Sequence, residues 1–375
     1  MHKKLLNTFI LFFTLLIMPT ILGCKKQTLI LKDASISEDT KFKGAIVDIA
    51  IEDFNELGFE LGDSCNILFS NNYELKDVPY YNGYYVRNGD PLIVAYPGNS
   101  NIMITLNNIG IWNEANLKNT YTVTITLNAK KKYISTQEAL SQNYSFDRSM
   151  YSSDQEFTNF RSLAGGTLKE NLIFRGASPV DNSRNRAKYT DELLKENNIK
   201  CIIDLADSLA NMKNYINSLD FNSNYTKSIF ENDDIILLSM GSNYGQVSFM
   251  QSVVKGLKFM LYNDGPYYIH CMEGKDRTGF VCMLIEALFG ASYDEMCTDY
   301  MQTYQNYYKI SPVETKDKYD AIVSLYFNGF LEILHGTDDV GILKNASFIE
   351  DAKIYLRMGS MTDNEINAFI KKFSK

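Results

Sequence analysis

Residues 279–289 are apolar nearly all round: Phe280, Val281, Met283, Leu284, Ile285 and Leu288 leave no polar stripe. A helix of that kind has no face to give to water, so the rest of the fold must enclose it. Ahead of it, Tyr267-Tyr268-Ile269 reads as a buried strand closed off upstream by Asn263-Asp264-Gly265-Pro266. The intervening string is His270-Cys271-Met272-Glu273-Gly274-Lys275-Asp276-Arg277-Thr278-Gly279. A strand that turns sharply into the N-terminus of a buried helix gathers free N–H groups and the positive end of the helix dipole at the sheet edge. That arrangement binds anions.

The side chains of this loop define the chemistry it favours. Cys271 stands where a helix N-terminus promotes the thiolate, the form of sulfur that attacks phosphorus. Arg277, six residues on, returns to the loop mouth, where its planar fork matches two phosphate oxygens. Gly274 and Gly279 allow a ligand to approach the backbone closely. In-line attack of sulfur on phosphorus, with loop amides and the guanidinium holding the equatorial oxygens, is the reaction such a site supports. A buried structural cysteine would need neither Arg277-Thr278 nor the two glycines.

The chain of 375 residues is long enough for about two domains, and two patterns divide it. From about residue 154 onward strands alternate with helices: strands at 172–174, 200–205 and 235–238, helices at 190–197 and 246–262. Ser292 with Glu295, and Thr362 with Glu365, are capping boxes that open two further helices. This predicts an α/β domain over 153–375 with a mostly parallel sheet flanked by helices. Residues 42–130 instead carry short β-branched and aromatic runs at 45–51, 64–69, 80–86, 92–96, 101–106 and 121–127, with turns such as Asn82-Gly83 and Pro97-Gly98-Asn99 between them. A small all-β domain, barrel or sandwich, is expected there. Its Tyr81, Tyr84, Tyr85, Tyr96 and Trp112 serve either core packing or an aromatic binding face. Residues 25–41 read as a polar tether and 131–152 as a linker.

The signature string resembles that of the cysteine-dependent protein tyrosine phosphatase superfamily, and in its fuller form the bacterial enzymes with tyrosine and phosphoinositide activity. Upstream, Asn159-Phe160-Arg161, Phe174-Arg175-Gly176-Ala177 and Ile202-Ile203-Asp204-Leu205 resemble further segments of that family, as does Asp299-Tyr300 downstream. The resemblance implies a phosphomonoesterase with Cys271 as nucleophile, Arg277 as phosphate clamp, His270 orienting the loop and Thr278 assisting departure of the sulfur. It implies Asp276 as general acid, with Asp204, Asp233 and Asp234 as rivals. Met272, Glu273, Gly274, Lys275, Gly279, Arg175 and Asp204 are the expected substrate-binding positions, although Arg175 and Arg161 could equally pair with carboxylates. Lys275 would favour a second phosphate, as on inositol phosphates. Ala206 stands where the family has arginine, so that accessory contact is missing. The substrate is a phosphorylated protein or an inositol phosphate; a phosphate-binding protein without turnover is the remaining reading.

At the N-terminus, Lys3 and Lys4 precede an apolar run over 5–22 ending in Ile21-Leu22-Gly23-Cys24, the pattern of an export signal over 1–23. That ending resembles the lipobox of bacterial lipoproteins, which implies lipidation of Cys24 and an extracytoplasmic, membrane-anchored protein; an uncleaved membrane helix is the alternative. The net charge of −8 offers nothing to nucleic acid, which needs clustered cations. No cofactor is expected. With only His2, His270 and His335 available, a metal centre is not expected either. Cys65, Cys201, Cys282 and Cys297 read as packing residues, with a disulfide left open.

Overall fold

The computed structural model describes residues 29–40, 43–141 and 143–375; the segment expected to be an export signal, and Cys24, lie outside the described residues. The first unit is a closed barrel of seven strands: β1 (Ile30–Glu38), β2 (Ala45–Ala50), β3 (Ser64–Phe69), β4 (Glu74–Tyr81), β5 (Pro91–Val94), β6 (Asn101–Leu106) and β7 (Thr122–Ala129). The order around it is β1-β2-β6-β5-β4-β3-β7, with β4 and β5 parallel and the other neighbours antiparallel. Alternation puts Val123 and Ile125 of β7, and Cys65, Ile67 and Phe69 of β3, into one buried cluster. Helix α1 (Ile51–Glu56) plugs it with Phe54, which stacks on Phe59 at 4.2 Å and meets Tyr80 edge-on at 5.1 Å.

Two expectations need correction here. The supposed tether over 25–41 contains β1, which closes the barrel by pairing with both β2 and β7. The linker over 131–152 contains α2 (Ile134–Leu140), which packs on the second unit. The aromatic residues divide: Tyr81 and Trp112 are buried, whereas Tyr84, Tyr85 and Tyr96 are only partly covered or exposed.

The second unit begins with α3 (Asp154–Thr158), followed by β8 (Arg161–Ser162), β9 (Ile173–Gly176), α4 (Ala187–Glu196), β10 (Cys201–Asp204), α5 (Leu209–Ile216), α6 (Asn224–Glu231), β11 (Ile235–Leu237), α7 (Val247–Tyr262), β12 (Tyr267–His270) and α8 (Asp276–Leu288). Six more helices follow, α9 (Tyr293–Tyr308), α10 (Lys316–Ile322), α11 (Asn328–His335), α12 (Val340–Leu343), α13 (Ile349–Met358) and α14 (Asp363–Phe373); a π-helical stretch, Val323–Phe327, joins α10 to α11. Its sheet runs β11-β10-β12-β9-β8, parallel except for the short edge strand β8.

Strand alternation sorts the core. Ile173, Cys201, Ile203, Tyr267 and Ile269 face the large cluster shared with α7, α8 and α9, while Phe174, Ile202 and Tyr268 face α4 and α6. Every residue of α8 from Thr278 to Leu288 is buried, Glu286 included, as expected of a helix apolar nearly all round. Both predicted capping boxes form, at Ser292 and Thr362. Cys65, Cys201, Cys282 and Cys297 are buried free thiols.

Candidate active site

The site sits at the carboxyl ends of the parallel strands, where β12 leaves the sheet at His270 and α8 starts at Asp276. Gly274 is the pinch point of the connecting loop. Its φ is +66°, and a Cβ there would lie 2.2 Å from the Gly176 carbonyl oxygen at the end of β9. Only glycine fits.

The loop is held from beneath by a polar network. The Gly274 carbonyl accepts from Asn159 Nδ2 at 3.1 Å and from Arg175 Nη2 at 2.9 Å. Arg175 and Arg161 converge on Asp299, Arg161 Nε donating to Oδ1 at 2.6 Å and Arg175 Nη1 to Oδ2. Asn159 Oδ1 accepts in turn from Arg161 Nη1 at 2.6 Å and Asn306 Nδ2 at 2.9 Å. Burial pushes the Asp299 carboxyl up, but the two guanidiniums outweigh it and hold it below the usual range. Arg175, expected among the substrate contacts, is therefore spent on the scaffold and fully buried. Gly279 is likewise a packing position, since a Cβ there would meet the Tyr300 ring at 2.8 Å.

A second clamp comes from outside the sheet. Glu273 accepts from Arg184 Nε at 2.6 Å and from the Tyr144 hydroxyl, and its carbonyl accepts from Tyr307 Oη at 2.8 Å. Burial raises the Glu273 carboxyl; Lys275, Tyr144 and Arg184 together bring it below its ordinary value. Tyr144 stacks on Tyr307 at 5.0 Å, and the Arg186 guanidinium lies 4.2 Å from the Tyr307 ring centre and 4.8 Å from that of Tyr144. Glu273 is thus a structural member of the loop rather than an open contact.

Cys271 is 4% exposed at the base of the loop. Arg277 is anchored by Nη1 to the Met240 carbonyl at 2.9 Å, beyond β11. Thr278 is buried in the first turn of α8, its hydroxyl without a hydrogen-bond partner among the described residues. Met272 lies exposed on the rim, its carbonyl accepting from Ser178 N at 3.1 Å. His270 is buried, Nδ1 lies 3.2 Å from the Cys271 carbonyl, and desolvation lowers the imidazole to about 4, so it is neutral at ordinary pH.

The acid candidates separate by place. Asp204 Oδ1 accepts the N–H groups of Ala206 (2.8 Å) and Asp207 (3.0 Å), and the fully buried side chain is raised to about 6, mainly by desolvation. It lies 3.9 Å from His270 Nε2 as part of the floor, closed to any substrate oxygen. Asp233 and Asp234 precede β11, so they stand at the opposite end of the parallel sheet. Asp276 alone opens toward the mouth. Its side chain keeps 52% of its surface free, yet protein surrounds it at longer range, and this partial desolvation raises its carboxyl above the usual value ahead of the lowering effect of Lys275. Lys275 lies 3.7 Å from Glu273, 3.9 Å from Asp276 and 3.4 Å from the Tyr308 hydroxyl. Desolvation opposes its charge, but these neighbours prevail and keep it firmly protonated.

Sequence reasoning did not assign roles to Asn159, Asp299, Asp207 or the Tyr144–Arg184–Glu273 clamp. Asn159 and Asp299 lay inside segments already singled out by resemblance; Tyr144 carried no signal, because its partner is 129 positions away. Among the described residues, no group of three or more His, Cys, Asp or Glu side chains is placed to hold a metal ion.

A model of the tyrosine phosphatase family matches residues 154–371. No curated protein matches the chain. Among solved structures, an uncharacterized conserved protein from Thermotoga maritima is similar at 16% identity over 26% of this chain, with a TM-score of 0.22; the match spans 35% of that protein's length.

Proposed function

We propose that this chain, which belongs to the tyrosine phosphatase family, hydrolyses phosphomonoesters through a phosphocysteine formed on Cys271. In the first step the Cys271 sulfur attacks phosphorus, the phosphorus–oxygen bond to the leaving group breaks, and Asp276 gives its proton to the departing oxygen. Arg277 and the free N–H groups of the first turn of α8 stabilise the equatorial oxygens. In the second step water attacks phosphorus, Asp276 takes its proton, and the sulfur leaves as thiolate with the buried Thr278 hydroxyl as its donor. The observation that carries the reading is the loop itself, a cysteine and an arginine on a strand-to-helix turn pinned at Gly274.

A protein-tyrosine substrate of dual-specificity type is the reading we favour, with inositol phosphates as the alternative. Phosphate release from a phosphotyrosine peptide and from inositol polyphosphates, compared between the wild type and Cys271→Ser, tests both. Activity that vanishes in the variant supports cysteine catalysis. Binding without turnover in the wild type would replace the enzyme by a phosphate-capturing protein. The lipid anchor at Cys24 and an extracytoplasmic location remain part of the proposal and rest on residues 1–24. Fractionation that left Cys24→Ala and wild type equally soluble would end that part.

A further inference from the structure

Between the barrel and the phosphatase unit lies a cleft of about 1400 Å³ that reaches the catalytic loop at Lys275 and Asp276. The barrel lines it with Tyr84, Tyr85 and Tyr96, and the opposite wall carries Tyr304, Tyr308 and Tyr326. Its volume exceeds the roughly 300–1,000 Å³ typical of small-molecule pockets, so it has room for more than a single phosphorylated side chain. Tyrosines supply large, rigid contact area at little entropic cost, and the amides of Asn88, Asn108 and Asn243 on the same lining suit a polypeptide backbone.

Charge decides the class of occupant. Three cations line the cleft, and each is already paired: Lys43 with Glu38 at 2.8 Å, Arg87 with Asp338, and Lys275 between Glu273 and Asp276. Asp276 and Glu332 add negative charge. An inositol polyphosphate would enter without counter-ions for its remaining phosphates, whereas an uncharged peptide segment brings no charge that needs one.

We propose that the barrel is a substrate-selecting wall, and that the cleft holds uncharged, apolar or aromatic residues flanking a phosphorylated residue of a protein substrate. The proposal rests on the phosphatase reading given above. The test uses the full chain with Tyr96→Ser and Tyr85→Leu. Tyr96 is 47% exposed, so its loss spares the barrel core. Leu68→Ser, on an exposed barrel position that does not line the cleft, is the control. Three substrates are compared: para-nitrophenyl phosphate, a phosphotyrosine peptide with uncharged flanks, and inositol hexakisphosphate.

The expected result is a peptide KM raised about tenfold in the tyrosine variants with kcat retained, so that the ratio of peptide to aryl phosphate kcat/KM falls about tenfold. Leu68→Ser leaves that ratio alone. Equal losses on peptide and aryl phosphate, an effect confined to inositol hexakisphosphate, or the same loss in Leu68→Ser would each overturn the proposal. Peptide binding to Cys271→Ser, followed by fluorescence anisotropy, separates the two readings. Binding weakened by Tyr96→Ser supports the cleft even if no substrate is turned over by the wild type, and absence of any such weakening overturns it.

Discussion

Asp276 and Asp204 show how position sets the use of one functional group. Asp276 is the acid in the proposed mechanism because its raised carboxyl opens to the mouth. Asp276→Asn should lower turnover of an alkyl phosphate by about 10²–10⁴-fold and that of an aryl phosphate with an acidic phenol far less. Equal losses in steady-state assays would remove it from the role. Asp204 is raised to about 6 against an ordinary value of about 3.9, so between those limits the folded state binds more protons than the unfolded one. Its contribution is therefore favourable at low pH and is lost as pH climbs through about 6. Asn keeps the oxygen that accepts from Ala206 and Asp207. Asp204→Asn should match wild-type stability near pH 4 and exceed it by about 2–3 kcal/mol above pH 6. Urea melts at the two pH values check this, and a constant difference would show that Asp204 does not titrate in this window. The sequence named Asp204 correctly as a strand-end residue, but it could not show that the side chain is wholly buried, with Oδ1 spent on two backbone N–H groups.

Elements explain why the loop keeps its shape. Asp299 on α9 compensates Arg161 on β8 and Arg175 on β9; Arg175 is fully buried and the other two are mostly so. Asp299→Ala leaves two guanidiniums without a counter-ion and should cost about 3–5 kcal/mol in denaturant unfolding; a loss under about 1 kcal/mol would mean the pair acts like a surface one. Gly274→Ala should abolish phosphatase activity while far-UV dichroism is kept, since the clash at Gly176 displaces the loop and leaves α8 in its core. The alternating strands and helices were legible from short apolar runs set between helical periods: β10 and β12 are apolar on both faces, Ile203 and Ile269 on one and Ile202 and Tyr268 on the other, so shortness and not alternation marks them. Strand β1 was not. Of its residues only Ile36 is fully buried; Leu31 and Ala34 pack on the barrel core from partly covered positions, and the irregularity between them breaks the period-two pattern that would have marked the strand. Asp233 and Asp234 looked eligible as acids until strand direction was known; a parallel sheet sends the residues before a strand to its far end.

On the scale of the whole molecule, two separate cores meet across an open cleft. Helix α2 also ties the units, its Gln137 hydrogen-bonded to Asn82 of the barrel and its body packed on α10, whereas the Arg87–Asp338 pair, about one-third exposed on each side, is worth at most about 1 kcal/mol after solvent screening. Because the cores are separate, calorimetry should show two transitions, of which vanadate, a phosphate analogue, stabilises one by about 2.7 kcal/mol at a hundred times its Kd. A single transition, or equal shifts of both, would show that the units unfold together. The register of β1 on β7 has a further consequence. Ile30 pairs with Thr126, so the start of β1 and the end of β7, from which the chain runs on toward the phosphatase unit, lie at the same rim of the barrel. A lipid anchor at Cys24, as proposed, would therefore join the barrel at the rim from which the chain to the phosphatase unit leaves, so one rim would carry both attachments.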